Sequence, residues 1–163
     1  MCLSIAANEA PLEYQLKAAF LLNFTKFIEW PPSAFESPDA PFRICISEPD
    51  PFGDALNKMI AEEKIGAHGL TVDHWTPQAS LRCQVIFFPK SQKNVGAALE
   101  HLPEGVLTVG ENENFLREGG VIRFVIENNH VRFDVNQTAA RKMGLTISSK
   151  LLNIARAVEE KSK

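Results

Sequence analysis

Three cysteines and four histidines are the residues of this 163-residue chain best equipped for chemistry. Cys2, Cys45 and Cys83 are too few for a disulfide scaffold and lack the paired spacing of a zinc site. His68, His74, His101 and His130 share no ligand spacing with one another or with the cysteines, so no metal is expected. His74 beside Asp73 has the composition of a catalytic dyad, but neighbours on a strand point to opposite faces and cannot orient each other. There is no Gly-x-Ser-x-Gly elbow, no phosphate loop and no defensible pair of carboxylates. No catalytic residue and no cofactor is expected, which disfavours an enzyme.

Two features remain. Cys45 and Cys83 each fall within or beside a strand of one expected sheet. In a cytosol they would be two buried thiols behaving as small apolar residues; in an exported protein a disulfide is the better reading. Closing that loop contributes about 4 kcal/mol on the chain-entropy model. The second feature is Thr146-Ile147-Ser148-Ser149-Lys150, ahead of the last expected helix. Free amides, the hydroxyls of Ser148 and Ser149 and the Lys150 ammonium could hold a carboxylate or phosphate there, although ordinary helix capping needs the same residues.

The elements that must position these groups are legible from periodicity. Leu12, Leu16, Ala19, Phe20, Phe24 and Phe27 recur at helical spacing, with Leu21, Leu22 and Ile28 widening the apolar surface, so a mostly buried helix is expected from Leu12 to Trp30, ended by Pro31-Pro32. A strand at Phe42–Ser47 follows a proline-rich loop, and Asp50-Pro51 could open a helix running to about Glu63. Gly66 and Gly69 break the chain before a short strand, Leu70–Trp75. The apolar run Cys83–Phe88 reads as a strand buried on both faces, followed by a helix over Asn94–Leu102 and a strand over Gly105–Val109. Val121–Ile126 and Val131–Val135 flank Asn128-Asn129, a good two-residue hairpin turn. That loop length sets Glu127 opposite His130, Ile126 opposite Val131, Phe124 opposite Phe133, Arg123 opposite Asp134 and Ile122 opposite Val135. A short helix over Asn136–Met143, ended by Gly144, precedes a final helix that should bury Leu152, Ala155 and Val158. The fold class is therefore α/β: a single domain with a mostly parallel central sheet flanked by helices and a C-terminal β-hairpin added.

Composition sets the remaining bounds. Hydrophobic residues make up 45% and charged residues 23%, the balance of a packed globular domain. Seventeen basic against twenty acidic residues leave a net charge of -3, without the basic excess that a nucleic-acid binder carries. Leu3-Ser4-Ile5-Ala6-Ala7 reads as the tail of a secretory signal with an Ala-x-Ala-like cleavage zone, so residues 1–10 are expected to be a leader remnant and 11–163 the domain. The most apolar stretch, Ala18–Phe27, is interrupted by Asn23, Thr25 and Lys26 and is too short to span a membrane.

Several segments, in one order, resemble the YfiR family of bacterial periplasmic regulators. They include Lys17 to Pro31 with its Glu-Trp-Pro ending, Phe42-Arg43-Ile44-Cys45-Ile46, Asp50-Pro51-Phe52-Gly53 and the Cys83 strand. Val106-Leu107-Thr108-Val109-Gly110, Gly119-Gly120-Val121-Ile122, Val131-Arg132-Phe133-Asp134-Val135-Asn136 and Ser148-Ser149-Lys150-Leu151-Leu152 complete the resemblance. It spans roughly residues 14–157, with Arg123 where asparagine is common and no cysteine after Cys83 for a second disulfide. The resemblance implies an exported, periplasmic protein, dimeric, that binds the sensor domain of an inner-membrane diguanylate cyclase and inhibits it, lowering cyclic di-GMP and biofilm formation. The residues alone also admit an extracytoplasmic small-ligand sensor serving a histidine kinase or an uptake system, its pocket near Ser149 and Lys150.

Overall fold

The computed structural model describes residues 11–78 and 81–160. The expected leader, with Cys2, lies outside the described residues. In chain order the elements are α1 (Leu12–Phe27), β1 (Ile28–Glu29), a short 3-10 turn (Pro32–Ala34), β2 (Phe42–Ser47), α2 (Ala55–Ile60), β3 (Lys64–Ile65) and β4 (His68–Trp75). Then come β5 (Val85–Phe88), α3 (Val95–Glu100), β6 (Leu107–Gly110), β7 (Ile122–Glu127), β8 (His130–Asn136), α4 (Gln137–Lys142), β9 (Thr146–Ile147), α5 (Ser149–Ile154) and β10 (Ala157–Glu159). Eight strands form one sheet in the order β10-β8-β7-β6-β5-β2-β4-β3. Its central pairs are parallel, and β7–β8 and β3–β4 are antiparallel. This is the expected α/β class.

Strand order dictates what covers each face. The β2–β4 connection carries α2 on the same side as α1, where Phe52, Leu56 and Ile60 join the α1 core. The chain then returns across β2 to reach β5, and a right-handed crossover in that direction must use the opposite face. The described residues of that crossing form no helix. The next two crossovers cover the same second face with α3 and with a turn around Phe115. Gly110 and Gly120 make room for that ring: a Cβ at either position would overlap the Phe115 side chain.

Gln84 ties the layers together at the start of β5. Its backbone amide donates to the Arg43 carbonyl at 3.0 Å, and its carbonyl accepts from Leu107 at 2.8 Å and from the Trp30 indole at 2.9 Å. Its side-chain oxygen accepts the Arg43 amide at 2.7 Å and its amide group donates to the Ala34 carbonyl at 2.6 Å. The side chain is buried and every polar end is used.

The hairpin register is the expected one at all six pairs from Glu127–His130 to Ile122–Val135. Asn128 and Asn129 both have positive φ, 51° and 65°, the geometry of a type I′ turn. Elsewhere local reading is corrected. The first helix stops at Phe27, and Ile28–Glu29 pair with Thr146–Ile147 instead. The second helix starts only at Ala55, because the Asp50 carboxylate accepts the Phe52 amide at 2.8 Å in a turn. Gly69 does not break the chain but sits within β4, which a turn at Gly66 (φ 61°) joins to β3. The last helix ends at Ile154, and Arg156 then turns the chain into β10 by binding Asp134 through two nitrogens, at 2.9 and 2.6 Å. Val158 is consequently exposed, not buried, and Leu151 takes the core position.

The largest correction concerns α1. Its buried residues are Lys17, Ala18, Leu21, Leu22, Phe24 and Thr25, whereas Leu12, Leu16 and Phe27 from the apolar stripe face outward. Phe24 of the stripe reaches the core with Ala18, Leu21 and Leu22 beside it, while the two ends of the stripe do not. Lys17 sits on that inner face because its ammonium meets the Glu111 and Glu13 carboxylates, each at 2.5 Å, and lies 4.7 Å from the Tyr14 ring centre. Removing one partner of such a buried pair costs about 3–5 kcal/mol. The Tyr14 phenol is pushed above its ordinary 10.0 by burial and by the adjacent Glu111 carboxylate.

Two measurements follow from this core. Replacing Gln84 by Leu strands the Arg43 amide and the Ala34 carbonyl, and urea denaturation should show a loss of roughly 2–5 kcal/mol. Tyr14 is the sole tyrosine, so an alkaline absorbance titration reads it alone. The folded protein should retain the phenolic proton above pH 10.0, where the unfolded chain loses it. Stability from this group is thus complete below that pH and falls as pH rises, a fall that Tyr14→Phe should reduce.

Candidate functional site

Cys45, midway along β2, and Cys83, just ahead of β5, are joined by a disulfide with Cα atoms 6.0 Å apart. Both are buried in the second-face core with Trp75, Ile86, Phe88, Val95 and Phe115. The bond therefore pins the crossing between β4 and β5 to the sheet it crosses.

The residues around Ser148 form a cap. The Ser148 hydroxyl accepts the Lys150 amide at 3.1 Å, and its own amide donates to the Phe27 carbonyl at 2.9 Å. Ser149 and Lys150 are exposed on the first turn of a six-residue helix. The histidines are dispersed. His68 stacks on Phe35 at 3.8 Å between ring centres, with Nδ1 2.5 Å from the Ala40 carbonyl oxygen. His74 approaches Glu48 at 3.1 Å, while Asp73 pairs with Arg43 at 3.6 Å, so the sequence neighbours do not act together. Among the described residues no group of three or more His, Cys, Asp or Glu could hold a metal ion.

The exposed apolar surface is better organised. Leu12 and Leu16 are 68% and 44% exposed, one helical turn apart on the outer side of α1. Phe20, on the next turn, packs on Phe124 and Phe133 of the hairpin at 6.0 and 5.8 Å. One step further along the hairpin on the same sheet face are Ile126, half exposed, and its partner Val131. Ile154 is exposed at the end of α5, which packs beside α1. Glu13 of α1 and the Glu127–Arg132 pair of the hairpin supply charge on the same two elements. Apolar side chains exposed among charged residues mark a protein-binding face. Sequence periodicity located these side chains but assigned Leu12 and Leu16 to the interior. The clue available was the excess of apolar residues around α1, more than one buried face can absorb.

Denatured without reductant, the protein should leave Cys45 and Cys83 unalkylated. Reducing the bond should lower stability by about 4 kcal/mol in a denaturant titration, the loop-closure value for its 38-residue separation.

No curated protein matches the sequence. Among solved structures, the crystal structure of a conserved domain protein from Vibrio cholerae O1 biovar eltor is similar, with a TM-score of 0.54 at 11% identity. The likeness covers 90% of this chain but 60% of that one, and at such identity it is a likeness of fold. Among the described residues no helix is long and apolar enough to cross a membrane. A family model described as YfiR/HmsC-like matches residues 14–156, nearly the whole α/β domain, and the chain belongs to that family.

Proposed function

We propose that this protein is a periplasmic regulator that binds the sensor domain of an inner-membrane diguanylate cyclase and holds the enzyme inactive, lowering cyclic di-GMP and biofilm formation. Membership of the YfiR/HmsC-like family supports the broader part of that reading, because its members are periplasmic regulators of cyclic di-GMP signalling and not enzymes. A disulfide within the core is in keeping with an exported protein. The observation that carries the binding role is the outer stripe of α1, where Leu12 and Leu16 remain in solvent, together with the half-exposed Ile126 of the hairpin on which the same helix packs. Inhibition then requires tighter binding to the inactive conformation of the cyclase than to the active one. The same family resemblance supports a homodimer as the regulatory form.

Co-purification with the periplasmic portion of a diguanylate cyclase tests the partner. Binding should be measurable at micromolar concentration, and Leu16→Glu with Ile126→Glu should weaken it at least tenfold while the melting temperature changes little. Both positions are substantially exposed, so lost binding would not reflect a lost fold. Absence of binding by the wild-type chain, or full affinity in the double variant, would overturn the reading of partner or of surface respectively.

A further inference from the structure

Beside the crossing between β4 and β5, whose described residues form no helix, lies a cavity of about 280 Å³ on the second face of the sheet. Its wall is assembled from four pieces of chain. Trp75 closes the end of β4, Pro77, Leu81, Arg82 and Cys83 come from the crossing, and Ile86 forms part of the sheet side. Ala98, His101, Leu102, Pro103 and Val106 come from α3 and the connection beyond it. In a regular parallel sheet an amphipathic helix in the crossing would occupy this space. Here the disulfide and two prolines hold the walls apart.

The cavity is organised before any occupant arrives. The Trp75 ring packs edge-on against Phe88 at 5.4 Å, and Cys83 is tied to Cys45 in the middle of β2. The Arg82 guanidinium donates to the Ser33 carbonyl, which anchors that side chain against another segment. Charge in the lining is one-sided. Among the described residues Arg82 and His101 are its only ionisable ones and no carboxylate lines it, although the whole chain carries a net charge of -3. A mostly apolar lining that carries two basic residues suits an anion whose body is hydrocarbon.

We propose that this cavity is a binding site for a small organic monocarboxylate with a compact apolar body. The hydrocarbon part fills the space between Trp75, Ile86, Ala98 and Val106, and the carboxylate meets Arg82 and His101. The volume lies at the small end of ligand pockets, which limits the body to roughly one saturated ring or a short chain. The site stands on the opposite sheet face from the α1 surface, so it holds independently of the cyclase partner.

Calorimetry and thermal shift with hexanoate and cyclohexanecarboxylate test the proposal on the oxidised protein. Both acids should bind and raise the melting temperature by mass action, while hexylamine and hexanamide should not. Arg82→Ala should weaken hexanoate at least tenfold, and Lys150→Ala should leave it unchanged. Ala98→Phe, which fills the cavity, should abolish binding in a protein that still melts cooperatively, and the milder Ala98→Val should weaken it. Equal binding of the amine or the amide would overturn the charge assignment. Undiminished binding in the folded Ala98 variants, loss in Lys150→Ala, or no binding of either acid at millimolar concentration would overturn the site.

Discussion

The start of β5 is the point on which the remaining layers depend. Gln84 lies between β2 and β6, so its backbone bonds set the register of both neighbours at once. Its side chain reaches the 3-10 turn after α1, and its carbonyl also receives the Trp30 indole. The end of the first helix, the central strand and the strand on either side are thereby located by one residue. A buried amide is costly unless fully bonded, so this arrangement has few acceptable alternatives. Specificity of register is what the polar residue contributes in an otherwise apolar strand.

From that anchor the two faces develop differently. The α1 face is filled by aromatic contacts, with Phe24 against Phe124 and Phe133, and Phe52 against Phe87. The other face must be covered by whatever the crossovers supply. One supplies a short helix, one a turn whose Phe115 fits over two glycines, and one only a stretch of chain secured by a disulfide. Unequal covering explains why the cavity occurs on the second face and the surplus of apolar side chains on the first.

Elements governed by local rules were readable from the sequence. The hairpin is the clearest case: two asparagines fixed the loop length, and the loop length then fixed every cross-strand pair. The orientation of α1 was not readable in the same way, because periodicity finds a helix without saying which part of a wide apolar surface turns inward. That choice follows from Lys17, whose burial depends on Glu111, a residue 94 positions away. The C-terminal strand was hidden for a similar reason. Arg156 looks like an exposed helix residue until Asp134 is seen across the sheet edge. Arg123, placed correctly opposite Asp134, is left with a buried Nε that has no partner among the described residues, since Arg156 takes the carboxylate. The cysteine pairing was visible as a possibility from strand positions, but the cavity beside it was not, since its wall is made of residues far apart in the chain.

The two ends of the sheet have a further consequence. On one side it finishes in β10, three exposed residues leading into Glu160, which pairs with Arg141; on the other it finishes in the two-residue β3. Rows of free amides and carbonyls on a long edge invite strand addition, and β3 covers only His68 and Gly69 of β4, so among the described residues Leu70–Trp75 pair with β2 on one side alone. The β4 rim is thus the longer open edge of the sheet. Charge along it, with Asp73 bound to Arg43 and His74 beside Glu48, opposes pairing with a second copy of the chain.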